Sequence, residues 1–240
     1  NWDSLNNNWR KYGDKFIYID YVTLNKENIT YNDLVASDAD VLIISCAYYW
    51  EFTDSEIEAI KKYVYEGHGL IATAGTFFFT APNNNKFASL FGLSESIIWE
   101  STMVKELKLV KSGHPLFFNI PNPYRFPEIG TAVSSDRKWD LSENAGGSYI
   151  AIGPKLEAAI VTYKGLVYIS PFLEGIIYLD DSDNWHANLQ FLYNAITWSC
   201  YQKQEHDLST FLECPSHLKP NETTNLNITI SNLGLRDETD

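Results

Sequence analysis

Gly67-His-Gly-Leu-Ile-Ala-Thr-Ala-Gly-Thr76 decides how this chain is read. Leu70 to Thr73 is a short apolar run of strand length, and the small residues after it make a tight turn. In many α/β enzymes a turn at the end of such a buried strand holds the nucleophile. Here that position carries Ala74, so the stretch speaks for architecture more than for covalent chemistry.

The segment just before it carries the clearest local signals in the sequence. Thr53 with Glu56 three residues on predicts a capping box, and Phe52 with Ile57 a hydrophobic staple. Ile57, Ile60 and Val64 share one face, Glu58 and Lys62 are spaced for an i,i+4 pair, and Gly67 suits the left-handed position that ends a helix. The spacing therefore predicts a helix over 53–66. Ahead of it, Asp40-Val-Leu-Ile-Ile-Ser45 is an apolar run of the kind buried on both faces of a parallel sheet. Strand, helix and strand make a right-handed crossover, hence parallel pairing.

The alternation extends both ways. Residues 16–24 are β-branched and aromatic and read as a strand, 4–12 as a short helix, and 30–37 as a helical turn around Leu34. Downstream, 86–91 reads as helix and 97–111 as strands. Pro115, Pro121, Pro123, Pro127 and the Gly146-Gly147 pair predict loops and short edge segments across 112–147. Strands follow at 149–152, 158–163 and 166–170, the last two joined through Lys164-Gly165 in a tight hairpin. An amphipathic helix over 184–201 turns Leu189, Leu192, Ile196 and Trp198 inward. The expected fold is α/β: a mostly parallel sheet, flavodoxin-like, with helices on both faces, spanning 1–201.

Composition bounds the function. The 240 residues suffice for one α/β domain with an appendage, and 45% apolar with 15% aromatic content is globular. A formal charge of −13 opposes a nucleic-acid partner, which leaves a basic footprint. No apolar run approaches the roughly 18 residues that span a bilayer, so no membrane insertion is expected. Asn1 is not an initiator methionine, which points to an excised fragment or a mature form. Of the three cysteines, Cys200 and Cys214 are candidates for a disulfide, with Cys46 left over; all three reduced is the equal alternative. Sequons at Asn28, Asn221 and Asn227 favour a secreted or cell-surface glycoprotein.

From about Gln202 the composition turns polar and punctuated, and Leu226, Ile228 and Ile230 alternate with Asn227, Thr229 and Ser231. Residues 202–240 thus read as a linker and the first strands of a β-sandwich. With Pro220-Asn-Glu-Thr before the strand and Asn232-Leu-Gly234 after it, this stretch resembles the opening of CARDB-type immunoglobulin-like adhesion modules.

Ala39-Asp-Val41, Phe52-Thr-Asp-Ser-Glu56, Gly67-His-Gly-Leu70, His114-Pro115 and Asn194-Ala-Ile-Thr-Trp198 together resemble the class I glutamine amidotransferase-like superfamily, in its trehalose-utilisation (ThuA-like) branch. The resemblance covers about 16–200. It implies a catalytic cysteine at the turn after the strand, with a histidine and a glutamate from a late strand. Ala74 stands at the cysteine position, Phe172 at the histidine position, and only Glu174 persists. Without thiol and imidazole there is neither an activated nucleophile nor its base.

In open parallel sheets, ligands bind beyond the carboxyl ends of the strands. The residues expected there include Tyr48, Tyr49, Trp50, Glu51, Thr76, Phe77, Phe78 and Glu174. Aromatic faces suit sugar rings, with Glu51, Asp54 or Glu174 accepting hydroxyl hydrogens; the plainer alternative is that these rings complete the core. Cys46 reads as a buried structural thiol. The histidines at 68, 114, 186, 206 and 217 lack metal-ligand spacing, so no metal and no cofactor are expected. Asp180, Asp181 and Asp183 beside Glu174 offer a minor cation site, although 181–183 also fall where the last helix needs a cap.

Two functions follow. The first is a non-catalytic amidotransferase-like domain at the cell surface, structural or adhesive, binding a glycan or a protein. The second is a ThuA-like carbohydrate-active enzyme with Glu174 as acid or base. An enzyme needs an open cleft at the strand ends; a binding or spacer domain fills it with Phe77, Phe78 and Tyr48.

Overall fold

The computed structural model describes residues 8–12, 15–93, 101–109, 111–132, 148–152, 158–173, 185–201, 208–213 and 227–232. Its centre is a seven-stranded sheet in the order β3 (Val41–Ile44), β4 (Gly69–Thr73), β9 (Leu166–Ile169), β8 (Ala158–Tyr163), β7 (Ser148–Ile152), β5 (Ser101–Leu109) and β6 (Tyr124–Ala132). β3, β4 and β9 pair in parallel and the other pairs are antiparallel, which leaves five of the seven strands pointing one way. The sheet is therefore mixed, with its parallel part built by the crossover around 67–76.

Helices cover both faces, and alternate side chains of each strand serve the two layers. Ile71, Val167 and Ile169 point to α3 (Trp185–Tyr201), where they meet Leu189, Leu192 and Trp198. Leu70, Ala72 and Tyr168 point the other way, to Leu34 of α1 (Tyr31–Ala36), to Ile57, Ile60, Tyr63 and Val64 of α2 (Asp54–Tyr65), and to the 3-10 segment Pro82–Phe91. α3 lies close enough to β4 that a Cβ on Gly69 would sit 2.5 Å from Ser199 Oγ. Its Asn194 ties down the 3-10 turn Pro115–Phe117 by donating to the carbonyls of Leu116 (3.0 Å) and Phe118 (2.8 Å). His114 opens that turn by accepting from the Leu116 amide, and burial, then Lys111, hold its pKa down to about 3.

Capping follows the sequence closely. Thr53 and Glu56 form the expected box on α2, and Thr30 with Asp33 forms a second on α1. Glu56 is buried, which raises its pKa, but bonds from Thr53 and from the Ile29 amide (3.0 Å) outweigh this and leave it lowered. Gly67 takes φ 98° at the helix end, and Lys164 (45°) with Gly165 (81°) makes the β8–β9 hairpin turn.

Several expectations are corrected. Residues 8–12 are not helical: Asn8–Tyr12 is strand β1, because pairing antiparallel with the β-prone β2 (Lys15–Ile19) outweighs the weak local preference of a short polar-aromatic run. The strand expected over 16–24 ends at Ile19. Glu58 does not pair with Lys62. Lys61 takes Glu58 (3.5 Å), while Lys62 lies over the Tyr31 ring and reaches Glu66. Among the described residues β3 is an outer strand, with Val41, Leu42 and Ile43 half-buried rather than covered on both faces. Within 112–132, β6 is nine residues long with Pro127 inside it, tolerated because β6 is the other outer strand. Beyond α3, β10 (Leu208–Glu213) and β11 (Asn227–Asn232) pair antiparallel in a sheet of their own.

Candidate functional site at the ends of the parallel strands

β3 and β4 both leave the sheet through a non-glycine residue in the left-handed region, Cys46 at φ 47° and Ala74 at φ 37°. An L-residue there costs on the order of 1 kcal/mol, so the surroundings must hold both turns in place. At Ala74 the chain enters a 3-10 turn, Ala74–Phe77. The buried Tyr168 hydroxyl donates to the Ala74 carbonyl (3.0 Å), and Thr76 Oγ1 donates to the Thr73 carbonyl (2.8 Å). Thr73 Oγ1 accepts from the Cys46 amide (2.9 Å), which couples the two exits.

The loop after β3 closes over this turn. A Cβ placed on Gly75 would lie 2.7 Å from Tyr48 Cδ2 and 3.0 Å from its Cα, so only glycine lets the backbones approach. Tyr48 stacks on Phe78 with centroids 3.5 Å apart, Tyr49 meets both rings edge-on, and Phe79 lies 4.3 Å from Phe78. Burial, then the neighbouring Tyr49 and Cys46, raise the Tyr48 pKa above that of a free phenol.

Asparagines lock the loops from below. Asn84, fully buried, accepts from the Phe52 amide (2.9 Å) and donates to the carbonyls of Trp50 (2.9 Å) and Thr76 (3.0 Å). The Asn83 backbone amide donates to the Glu51 carboxylate (2.8 Å) and its side-chain amide donates to the Phe52 carbonyl and to Asp54, while Thr80 Oγ1 donates to the Tyr48 carbonyl (2.7 Å). Asp54 also takes Lys86 at 2.6 Å, and Lys86 first, then Asn83, holds its carboxyl below the usual range.

The sequence candidates separate into two groups. Ala74, Thr76, Phe77 and Phe78 are buried and Tyr48 is half-buried, so these residues build the floor. Tyr49 (81% exposed), Phe79 (65%) and Trp50 (46%) stand outward, with Glu51 exposed beside them. Phe79 ends the aromatic run Thr76–Phe79 read from the sequence, though it stood outside the named candidates; Asn83, Asn84 and Tyr168 were missed because their partners are distant in sequence. Phe172 is 39% exposed after β9.

Cys46 is half-buried and shares its neighbourhood with Tyr48, not with a described histidine: His68 stacks on Tyr63, and His114 packs against Trp198. No group of His, Cys, Asp and Glu suited to a metal occurs among the described residues. Glu174, Asp180, Asp181, Asp183, Cys214 and Asn221 lie outside the described residues, and with them the Cys200–Cys214 pairing and the minor cation site. Asn28 occupies an exposed turn at φ 67°, and Asn227 is the first residue of β11. No described helix is long and apolar enough to cross a membrane.

What this arrangement offers is flat apolar surface and a few acceptors. Neither a family model nor a curated protein matches the chain. Among solved structures it is similar to a ThuA-like protein from Bacteroides uniformis at 16% identity, with TM-score 0.48, over 71% of this chain and 72% of that one. It is also similar to a cytoplasmic protein from Salmonella typhimurium (14%, TM-score 0.46, 72% and 76%). A third is a GMP synthase-like protein from Thermoplasma acidophilum (12%, TM-score 0.41, 73% and 79%).

Proposed function

We propose that the domain binds its ligand without transforming it, and that the ligand is a glycan held on the rim formed by Tyr49, Trp50 and Phe79. The observation that carries this reading is the seat of Tyr48 on Gly75, which fills the space above the turn where an attacking side chain would need its substrate. Ala74 supplies no nucleophile to use that space. The rim is held rigid by Asn83, Asn84 and Thr80, so little loop ordering opposes binding. Sugar faces pack on such rings, and Glu51 offers an acceptor for hydroxyls. On this reading the protein acts at the cell surface, the exposed sequon at Asn28 fits an extracellular life, and residues 202–240 lead into an adhesion module.

The test is calorimetric titration of the chain with neutral oligosaccharides, with assays for glutamine and glycoside hydrolysis run on the same sample. Saturable binding that Trp50→Ala weakens at least about tenfold, with no product released, supports the proposal. Turnover abolished by Glu174→Gln would overturn it in favour of a carbohydrate-active enzyme.

A further inference from the structure

Two loops run side by side at the rim, and their register fixes what stands beside the exposed rings. Thr80 Oγ1 ties the second loop to the Tyr48 carbonyl (2.7 Å), and three residues further along each loop the Asn83 amide ties it to the Glu51 carboxylate (2.8 Å). Tyr49 and Trp50 fall between the two ties, and Phe79 directly precedes the first. Tyr49 and Phe79 both stand on the Phe78 ring, at 6.4 and 4.3 Å. The rim is therefore a strip of exposed rings that ends in a fixed carboxylate.

That carboxylate has no counter-charge. Its Oε1 takes the Asn83 amide, which is neutral, and among the described residues this is the one hydrogen bond or ion pair that Glu51 makes. The side chain of the same Asn83 bonds Asp54 (2.9 Å), and Asp54 does have its ammonium, from Lys86 at 2.6 Å. Lys61 and Lys62, further along α2, turn to Glu58 and Glu66. Asn83 thus sits between a paired carboxylate and an unpaired one.

This asymmetry discriminates between classes of sugar. An acidic glycan would meet Glu51 with no cation to offset it, which disfavours uronic acids and sulfated sugars. A ligand that carries a positive charge gains twice. An ammonium over an aromatic face is drawn by the ring quadrupole, and it supplies Glu51 with the partner that Asp54 already has. The formal charge of −13 steers such a ligand inward. Exposed contacts of both kinds are individually weak, so their combined preference should be about fivefold and not a hundredfold.

We propose that the rim selects a glycan bearing protonated amines, with Glu51 holding an ammonium at the end of the ring strip. The inference rests on the reading of the rim as a glycan site and adds the class of sugar it takes.

Calorimetric titration with tetramers of glucosamine and of N-acetylglucosamine separates the two claims, because the pair differ only at the nitrogen. At low salt and a pH where the amine is charged, wild type should bind the amine form at least about fivefold tighter. Salt at roughly 0.5 M should shrink that preference. Glu51→Gln keeps an oxygen for the Asn83 amide while removing the charge, and it should bring the two affinities within about twofold of each other. The N-acetylated tetramer binding equally well or tighter in wild type overturns the selection for amines. So does a preference that Glu51→Gln leaves intact, which would assign it to the diffuse negative charge of the chain. In either case, binding that Trp50→Ala weakens would leave the rim a glycan site without charge selection. Failure of both tetramers to bind would remove the glycan reading as well.

Discussion

Two neighbouring parallel strands leave the sheet by the same strained device and put it to different use. The exit of β4 at Ala74 is buried and held by two hydrogen bonds and a close contact: Tyr168 beneath, Thr76 closing the turn, and Tyr48 packed above Gly75. The exit of β3 at Cys46 is half-buried, and three and four residues on it presents Tyr49 and Trp50 to solvent. In the first, strain is stored under a roof. In the second it aims side chains outward. The difference places structural responsibility in the β4 turn and leaves the β3 loop to carry the proposed recognition, with Asn84 joining the two.

The largest expected effect tests that joint. Asn84→Ala leaves the Phe52 amide and the carbonyls of Trp50 and Thr76 without partners at once. Each orphaned buried group costs about 1 kcal/mol or more, so denaturant unfolding should show a loss of roughly 3 kcal/mol. A loss below about 1 kcal/mol would mean that the two loops are independent. Next comes Gly75→Ala. Its methyl meets Tyr48 at the ring and at Cα, and backbone cannot swing aside as a side-chain tip can. A destabilisation of about 1–3 kcal/mol is expected. Tyr48→Ala in the same chain should recover part of it, and simple addition of the two losses would show that Tyr48 is not the roof.

How far this was legible in the sequence follows from the range of each interaction. The cap of α2, the Gly67 stop, the β8–β9 hairpin and the crossover around 67–76 depend on residues a few positions apart, and they were readable. The place of β3 at the edge was not, because an apolar run of four looks the same whether one neighbour or two cover it. Residues 8–12 misled because a short polar-aromatic run carries no decisive period, and its strand is fixed by pairing with 15–19. At the site, the sequence located the aromatic loops yet could not sort floor from rim. Phe77 and Phe79 differ only in which way the turn after Ala74 faces them. Asn84 carries no local sign that its side-chain amide spans to Phe52 and Trp50.

Smaller effects compare the two exits directly. Ala74→Gly relieves a positive φ and loses one buried methyl, terms of about 1 kcal/mol with opposite sign. Cys46→Gly relieves similar strain at a half-buried site. Glycine should therefore be worth more at 46 than at 74, by about 0.5 kcal/mol in thermal unfolding. The reverse order would show that the Cys46 side chain packs more firmly than its exposure suggests, and that the β3 exit shares the structural duty of the β4 turn.

The smallest effect on stability should accompany the largest effect on binding. Tyr49 is 81% exposed and touches the floor only by its edge against Tyr48 and Phe78. An edge-to-face contact of that kind contributes about 0.5–1 kcal/mol, and an exposed ring loses part of it to side-chain entropy. Tyr49→Ser should then shift stability by no more than about 0.5 kcal/mol, while removing a flat face from the rim. Phe78→Ala, one layer down, should do the opposite first: destabilise by about 3 kcal/mol, since a buried ring is lost beneath Tyr48. If Tyr49→Ser instead costs as much stability as Phe78→Ala, the rings form a single core whose outer members happen to be uncovered. The separation of floor from rim, and with it the reading of the β3 loop as the recognition element, would then fail.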